Sequence, residues 1–217
     1  VDIIALLGAI MGLGFISGIN LYATILALGL ALQFEFFTPP PYLQELEVLG
    51  HPYVLIPAGI AFVAEFFADK IPWVDSVWDS FHTFIRPAGA IVIVAASATD
   101  LPPAVEVGLI ILCGGVALLS HSTKAGTRLV ANHSPEPFSN TILSLAEDAI
   151  AIIGAWLLFS HPILLFCIVL VFVLFALWLL PKVFRLAARQ IARVRQFFRN
   201  GFRRVRGEGE PVMGDQP

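Results

Sequence analysis

The chain has 217 residues, 58% of them hydrophobic and 13% charged, with a mean hydropathy of +0.84. An average soluble domain is about 25% charged, and a water-soluble core of this length has no room for so much apolar surface, so the composition excludes an ordinary soluble enzyme or binding domain. The net charge of −3 hides an asymmetry: of 13 Lys and Arg, nine lie between Lys182 and Arg206, which points to a membrane-apposed basic tail and, without an aromatic–basic platform, away from nucleic acid.

Six membrane spans are predicted. The first, about Ile3–Leu32, has no charge between Asp2 and Glu35. It exceeds the roughly 20 residues a bilayer needs, so it tilts or breaks near Gly14–Gly18. No basic n-region precedes it, as a cleavable signal would require. Ser17, Asn20 and Thr24 share one face, where such groups join helices as readily as they bind substrate. The loop "TPPPYLQELEVLGHP" leads to a second span, about Tyr53–Asp69, ending "AEFFADK". Glu65 and Asp69 stand at i, i+4. Like charges there repel, which suits cation or proton binding, or pairing with bases from elsewhere.

After Pro72, Asp75, Asp79, His82 and Arg86 fall at i, i+4, i+7 and i+11, with Trp73, Val74, Val77, Trp78, Phe81 and Ile85 between them. This pattern predicts an amphipathic helix at the membrane interface, or a re-entrant one lining a cavity. Asp75, Asp79 and His82 are candidate ligands for a hard or borderline divalent ion. The third span, about Arg86–Ala98, is short and started by Pro87.

The fourth span is about Val105–Ala131. Ser120, Lys124 and Thr127/Arg128 share one face of it. Its bases either snorkel at the cytoplasmic end or lie inside the protein. The fifth span is about Pro135–Phe159, with Ser134 as its cap. Glu136, Asn140, Ser144 and Glu147/Asp148 form one stripe along it. Carboxylates as deep as Glu147 and Asp148 require a base, a metal, a proton or a water-filled cavity. Lys124 and Arg128 are the nearest candidate partners, and a purely structural ion-pair network is the plainer alternative. Cys113 and Cys167 lie in apolar runs and read as small buried residues. His51, His133 and His161 adjoin turns, whereas His121 lies deeper. A lone histidine does not make a haem site, and no cofactor is expected.

The sixth span is about Pro162–Leu180. Residues 182–206 then repeat Phe184, Ala187, Ile191, Val194 and Phe198 at helical steps. Arg185, Arg189, Arg193, Arg199 and Arg203 occupy the other faces. This is the pattern of a basic amphipathic cytoplasmic helix on anionic lipid headgroups, or of one packed on a partner subunit. Residues 207–217 have a disordered composition.

Two short matches suggest an internal repeat. "SGINLYAT" (Ser17–Thr24) parallels "SHSTKAGT" (Ser120–Thr127), and Ala64–Glu65 parallels Ala146–Glu147. Three-span units covering 1–100 and 105–181 would have to be inverted, as in many transporters. The fold expected is therefore all-α: a polytopic transmembrane domain over 1–181 with about six helices. The bases fit an inner-membrane protein with both termini cytoplasmic, since the outside loops carry no Lys or Arg and the inside connections hold Lys70, Arg86, Lys124 and Arg128.

The segments "AEFFADKIPWVDSVWDSFHTFIRPAGA" and "KAGTRLVANHSPEPFSNTILSLAEDAIA", with "SGINLYAT", resemble an uncharacterised bacterial integral-membrane family, domain of unknown function 4126. The resemblance covers roughly Gly8 to Leu158. It implies a multi-span inner-membrane protein and carries no activity.

No phosphate loop, zinc-protease motif or nucleophile elbow appears, so an enzyme is not expected. The leading expectation is a small transporter or channel, ion- or proton-linked, with Glu65, Asp69, Glu147 and Asp148 binding the cation or protons. Lys124, Arg128 and Arg86 would set their charge state, and Asn20, Thr24 and Asn140 would line the path. The alternatives are binding or flipping of an anionic lipid of the polyprenyl-phosphate kind by Arg86, Lys124 and Arg128, and an accessory subunit of a membrane complex. A homo-oligomer suits a chain this small.

Overall fold

The computed structural model describes residues 2–97, 101–131 and 137–205, with side chains except at 72, 129–131, 137–140 and 186–205. These residues form helices α1 (Ile3–Ile19), α2 (Leu21–Gln33), α3 (Pro52–Ala68), α4 (Pro72–Ser97), α5 (Pro103–Ala131), α6 (Pro137–Ser160) and α7 (Pro162–Val205), plus a 3-10 segment, Pro41–Gly50, ahead of α3. None of them forms a strand. Each of α3 to α7 begins on a proline, whose missing N–H costs nothing at a first helical position. Asp2 caps α1, its carboxylate accepting from the backbone N–H of Ile4 at 2.9 Å.

The protein is an all-α, multi-pass membrane protein. Trp73–Ser97, Pro103–Arg128, Thr141–Ser160 and Pro162–Arg185 are each long and apolar enough to cross a bilayer. A fifth crossing arises if the 3-10 segment and α3, bent 69° to each other, count as one. α1 and α2 are shorter apolar helices. Together they occupy the expected first span.

Side-chain placement is inside-out relative to a soluble protein. Tyr53, Ile56, Ile60, Val63 and Phe67 form an exposed stripe down α3, whereas Glu65 and Asp69 on the same helix are buried. α4 does the same: Trp73, Val77, Phe81, Phe84 and Val92 face outward, and Asp75, Asp79, His82 and Arg86 face inward. Exposed apolar stripes on this scale are what lipid contact requires.

Several expected boundaries need correction. The break in the first span lies at Asn20, not within Gly14–Gly18. The residues after Pro72 are no interfacial helix but the first turns of α4, which runs through Pro87 without interruption. The basic tail is likewise no separate helix, because α7 continues through Pro181 to Val205. A proline within a membrane helix is tolerated where neighbouring groups satisfy the freed carbonyl. Cys113 is buried as expected, but Cys167 is exposed. The side chains of Arg189, Arg193, Arg199 and Arg203 lie outside the described set, and Arg185 is exposed.

α1 and α5 form the central pair, with α4 lying on α5 and α7 on α1. Small residues allow these approaches. Gly14 and Gly18 of α1 face the backbone carbonyls of Cys113 and Ala117 on α5, and Gly8 faces that of Pro162 at the start of α7. Ser120 locks the central pair by donating to the carbonyl of Phe15 at 2.8 Å. α3 packs on α2, and α6 packs on both α1 and α2. By contrast α6 touches α5 only slightly.

Candidate functional site

Asn20 is where the site begins. Its backbone is extended (φ −148°, ψ 101°), which ends α1 and restarts the chain as α2. Its side chain caps α2, Oδ1 accepting from the N–H of Ala23 at 3.0 Å, while Nδ2 donates to Asp148 at 2.9 Å. The break leaves the carbonyls of Gly18 and Ile19, at the C-terminal end of α1, without backbone donors; they carry the partial negative charge of a helix end.

Two cations occupy that end. Arg86 of α4 donates from Nη1 to Gly18 O at 3.1 Å and Ile19 O at 2.7 Å. Lys124 of α5 donates from Nζ to Ile19 O at 3.1 Å. The same two bases reach Glu65 of α3: Arg86 Nη2 at 2.5 Å and Lys124 Nζ at 3.4 Å, both to Oε1. Lys124 also reaches Glu147 of α6 at 3.1 Å. One ammonium therefore sits between two glutamates from different helices.

Arg128, one turn along α5, gathers the remaining acids. Nη1 donates to Asp75 at 2.7 Å, Nη2 to Asp69 at 3.0 Å, and Nε to Glu147 at 3.1 Å; Nη2 also bonds Glu147. This fork-like, multidentate use suits a guanidinium and no ammonium. Ser144 donates to Asp69 at 3.3 Å. Asp79 lies 3.7 Å from Arg86.

Two histidines complete the polar interior. Arg86 can only donate, so His121 Nδ1 accepts from it at 3.1 Å, and Nε2, 3.1 Å from the carbonyl of Asp79, carries the proton. His82 is the opposite tautomer: Nδ1 donates to Trp78 O at 2.8 Å and Nε2 accepts from the Tyr22 hydroxyl at 3.0 Å. With both ring nitrogens engaged, neither is placed as a haem ligand.

Asn20, Glu65, Asp69, Arg86, Lys124, Arg128, Glu147 and Asp148 thus lie together in one cluster. Two pairings differ from those expected. Glu147 takes both bases of α5, and Asp148 turns to Asn20 instead. The proposed trio of Asp75, Asp79 and His82 separates in role: Asp75 goes to Arg128, Asp79 to the Arg86 side, and His82 to Tyr22. No group of three or more His, Cys, Asp or Glu among the described residues is placed to hold a metal ion. Thr24 bonds only within its own helix, donating to Asn20 O at 2.7 Å. The side chain of Asn140 lies outside the described residues. Arg86, Lys124 and Arg128 are buried ion-pair partners. Tyr22 and Thr83 escaped the sequence reading, since single hydroxyls in apolar runs carry no spacing signal.

Among the described residues, six carboxylates (Glu65, Asp69, Asp75, Asp79, Glu147 and Asp148) meet three bases. Five of the six are buried and Asp148 is half-buried. Fully ionised, the cluster holds three excess negative charges. Glu65 Oε2, Asp69 Oδ1 and Asp79 Oδ1 are buried without a hydrogen-bond partner. A buried carboxylate oxygen without a partner is costly, and a proton or a cation would relieve that cost.

A family profile described as domain of unknown function (DUF4126) matches residues 7–182. The chain belongs to this family. The matched span covers every helix that contributes to the ion cluster. No curated protein and no solved structure matches the chain.

Replacing Asn20 with alanine is expected to remove the α2 cap and the donor to Asp148 together. Loss of a cap costs about 0.5–2 kcal/mol, read as a lowered melting temperature in detergent. Asn20→Asp, which keeps the cap but sets a second acid against Asp148, is expected to lose more at neutral pH than at acidic pH.

Proposed function

We propose that this protein is a small membrane transporter or channel for a monovalent cation or protons, with the buried ion cluster as its site. One observation carries this reading. Acids outnumber bases two to one in a buried cluster placed where the chain breaks between two short apolar helices, α1 and α2. Discontinuous helices with freed carbonyls are how many transporters build cation sites. Ionisable groups at such depth are functional by default.

The packing supports the inverted repeat. In that reading α1–α2, α3 and α4 would be one unit, and α5, α6 and α7 the other. The first helices of the two units are the central pair, and the third helix of each lies on the first helix of the other. Glu65 and Glu147, at matched positions, converge on Lys124. The basic tail supports an inner-membrane orientation with cytoplasmic termini and a tail that engages anionic headgroups. Anionic-lipid handling by Arg86, Lys124 and Arg128 draws less support, because carboxylates already engage all three and the surplus negative charge repels a phosphate.

The test is flux in proteoliposomes. Wild-type protein is expected to move Na⁺, K⁺ or protons down an imposed gradient. Glu65→Gln and Glu147→Gln are each expected to cut the rate at least about tenfold, as loss of one charged ligand worth about 1.4 kcal/mol or more would. Flux that survives the double variant unchanged would sink the proposal. A wild-type protein that is silent alone but co-purifies with a fixed partner would favour the accessory-subunit reading.

A further inference from the structure

We infer that the Lys124 ammonium occupies the seat of a free monovalent cation and acts as a tethered competitor for it. This inference rests on the transport reading above and names the ligand class and the place. The ammonium lies 3.1 Å from the carbonyl of Ile19, 3.1 Å from Glu147 and 3.4 Å from Glu65. These oxygens come from three separate helices, α1, α6 and α3. Lys124 approaches from a fourth, α5, and is buried, 4% exposed. A lysine head is a compact point charge, the side-chain group closest in kind to a simple monovalent ion.

The donor set fits such an ion. Oxygen ligands select hard cations. Two carboxylates and a helix-end carbonyl suit a single positive charge. Glu65 Oε2, unpartnered and fully buried, offers a further ligand at the same carboxylate. Exchange of the ammonium for a free ion leaves the charge of the cluster unchanged. Arg86 and Arg128 are not equivalent. Each guanidinium is a planar fork that a simple ion does not resemble, whereas Lys124 presents a single point charge on a flexible stem.

The experiment uses the full-length protein in detergent. Lys124→Met keeps the apolar stem and removes the charge. Its thermal unfolding is followed while NaCl, KCl, ammonium chloride or methylammonium chloride replaces choline chloride at constant ionic strength. Wild type is expected to melt at the same temperature in every salt. K124M is expected to gain several degrees, saturably, with at least one small cation, and to lose that gain when Glu65→Gln is added. A K124M response equal to that in choline, or one that survives the added E65Q, overturns the inference.

Should K124M not fold, the wild type provides the measurement. Modification of Lys124 by a membrane-permeant amine reagent, followed by mass spectrometry, is expected to accelerate several-fold in the displacing cation relative to choline. An unchanged rate overturns the inference. Cation binding without flux in proteoliposomes would remove the transport reading and leave the site intact.

Discussion

Arg128→Met is expected to lower the apparent melting temperature by on the order of 10 °C. The guanidinium is 1% exposed and joins Asp69 of α3, Asp75 of α4 and Glu147 of α6 to α5. Removing one partner of a buried pair costs about 3–5 kcal/mol, because the other charge stays buried and uncompensated; here three carboxylates lose the guanidinium at once, and of these Glu147 keeps Lys124 at 3.1 Å. Two companions separate charge from shape. Arg128→Lys restores a positive charge but not the fork, and is expected to fall between wild type and R128M. R128M combined with Asp69→Asn neutralises an acid whose salt bridge was to Arg128 and is expected to regain part of the loss. A melting temperature for R128M within about 2 °C of wild type would show that the guanidinium contributes nothing net to stability.

The second large effect belongs to the central helix pair. A Cβ at Gly14 would stand 2.5 Å from the carbonyl oxygen of Cys113, and one at Gly18 would stand 2.3 Å from that of Ala117. Both obstacles are backbone, so no rotamer change relieves them. Gly14→Ala with Gly18→Ala is expected to push α1 from α5, breaking the Ser120–Phe15 bond and moving the Ile19 carbonyl away from Lys124. Overpacking costs about 1–3 kcal/mol per site, so a drop comparable to that of R128M is expected, with loss of flux. Gly108→Ala and Gly115→Ala are the controls. Nothing lies within 4 Å of either new methyl, and alanine raises helix propensity by about 1 kcal/mol, so neither is expected to lower the melting temperature.

The helical segments were legible because long charge-free runs admit few other readings. The cluster was legible in its members, since Glu65/Asp69, Asp75/Asp79/Arg86 and Lys124/Arg128 each share a helical face. Its partners were not. Glu147 and Asp148 are neighbours about 100° apart on one helix, and the rotation of α6 decides which meets Lys124. Packing sets that rotation, notably Gly154 against Ile16, and no spacing rule reports it. The polar stripe of α4 was visible, but whether it lay at the interface or lined the interior stayed open. Amphipathicity alone gives two faces without saying which meets lipid; the buried acids and the exposed Trp73 and Phe81 decide it. Pro87 and Pro181 misled for a simpler reason. A proline marks a helix end in water far more reliably than it does in a bundle where neighbours take over the freed carbonyl.

α3 and α6 each rest on the α1–α2 unit through ordinary apolar packing, yet neither has a substantial packed seam with α5. What ties them to it is ionic: Glu65 and Asp69 from one side and Glu147 from the other, all onto Lys124 and Arg128. Van der Waals seams change little with proton or salt concentration, whereas ionic ones weaken as soon as a carboxylate is neutralised. Neutralising Glu65 or Glu147 would therefore weaken the tie of a whole helix to α5, whereas the glycine-lined α1–α5 seam rests on close packing and would be left unchanged.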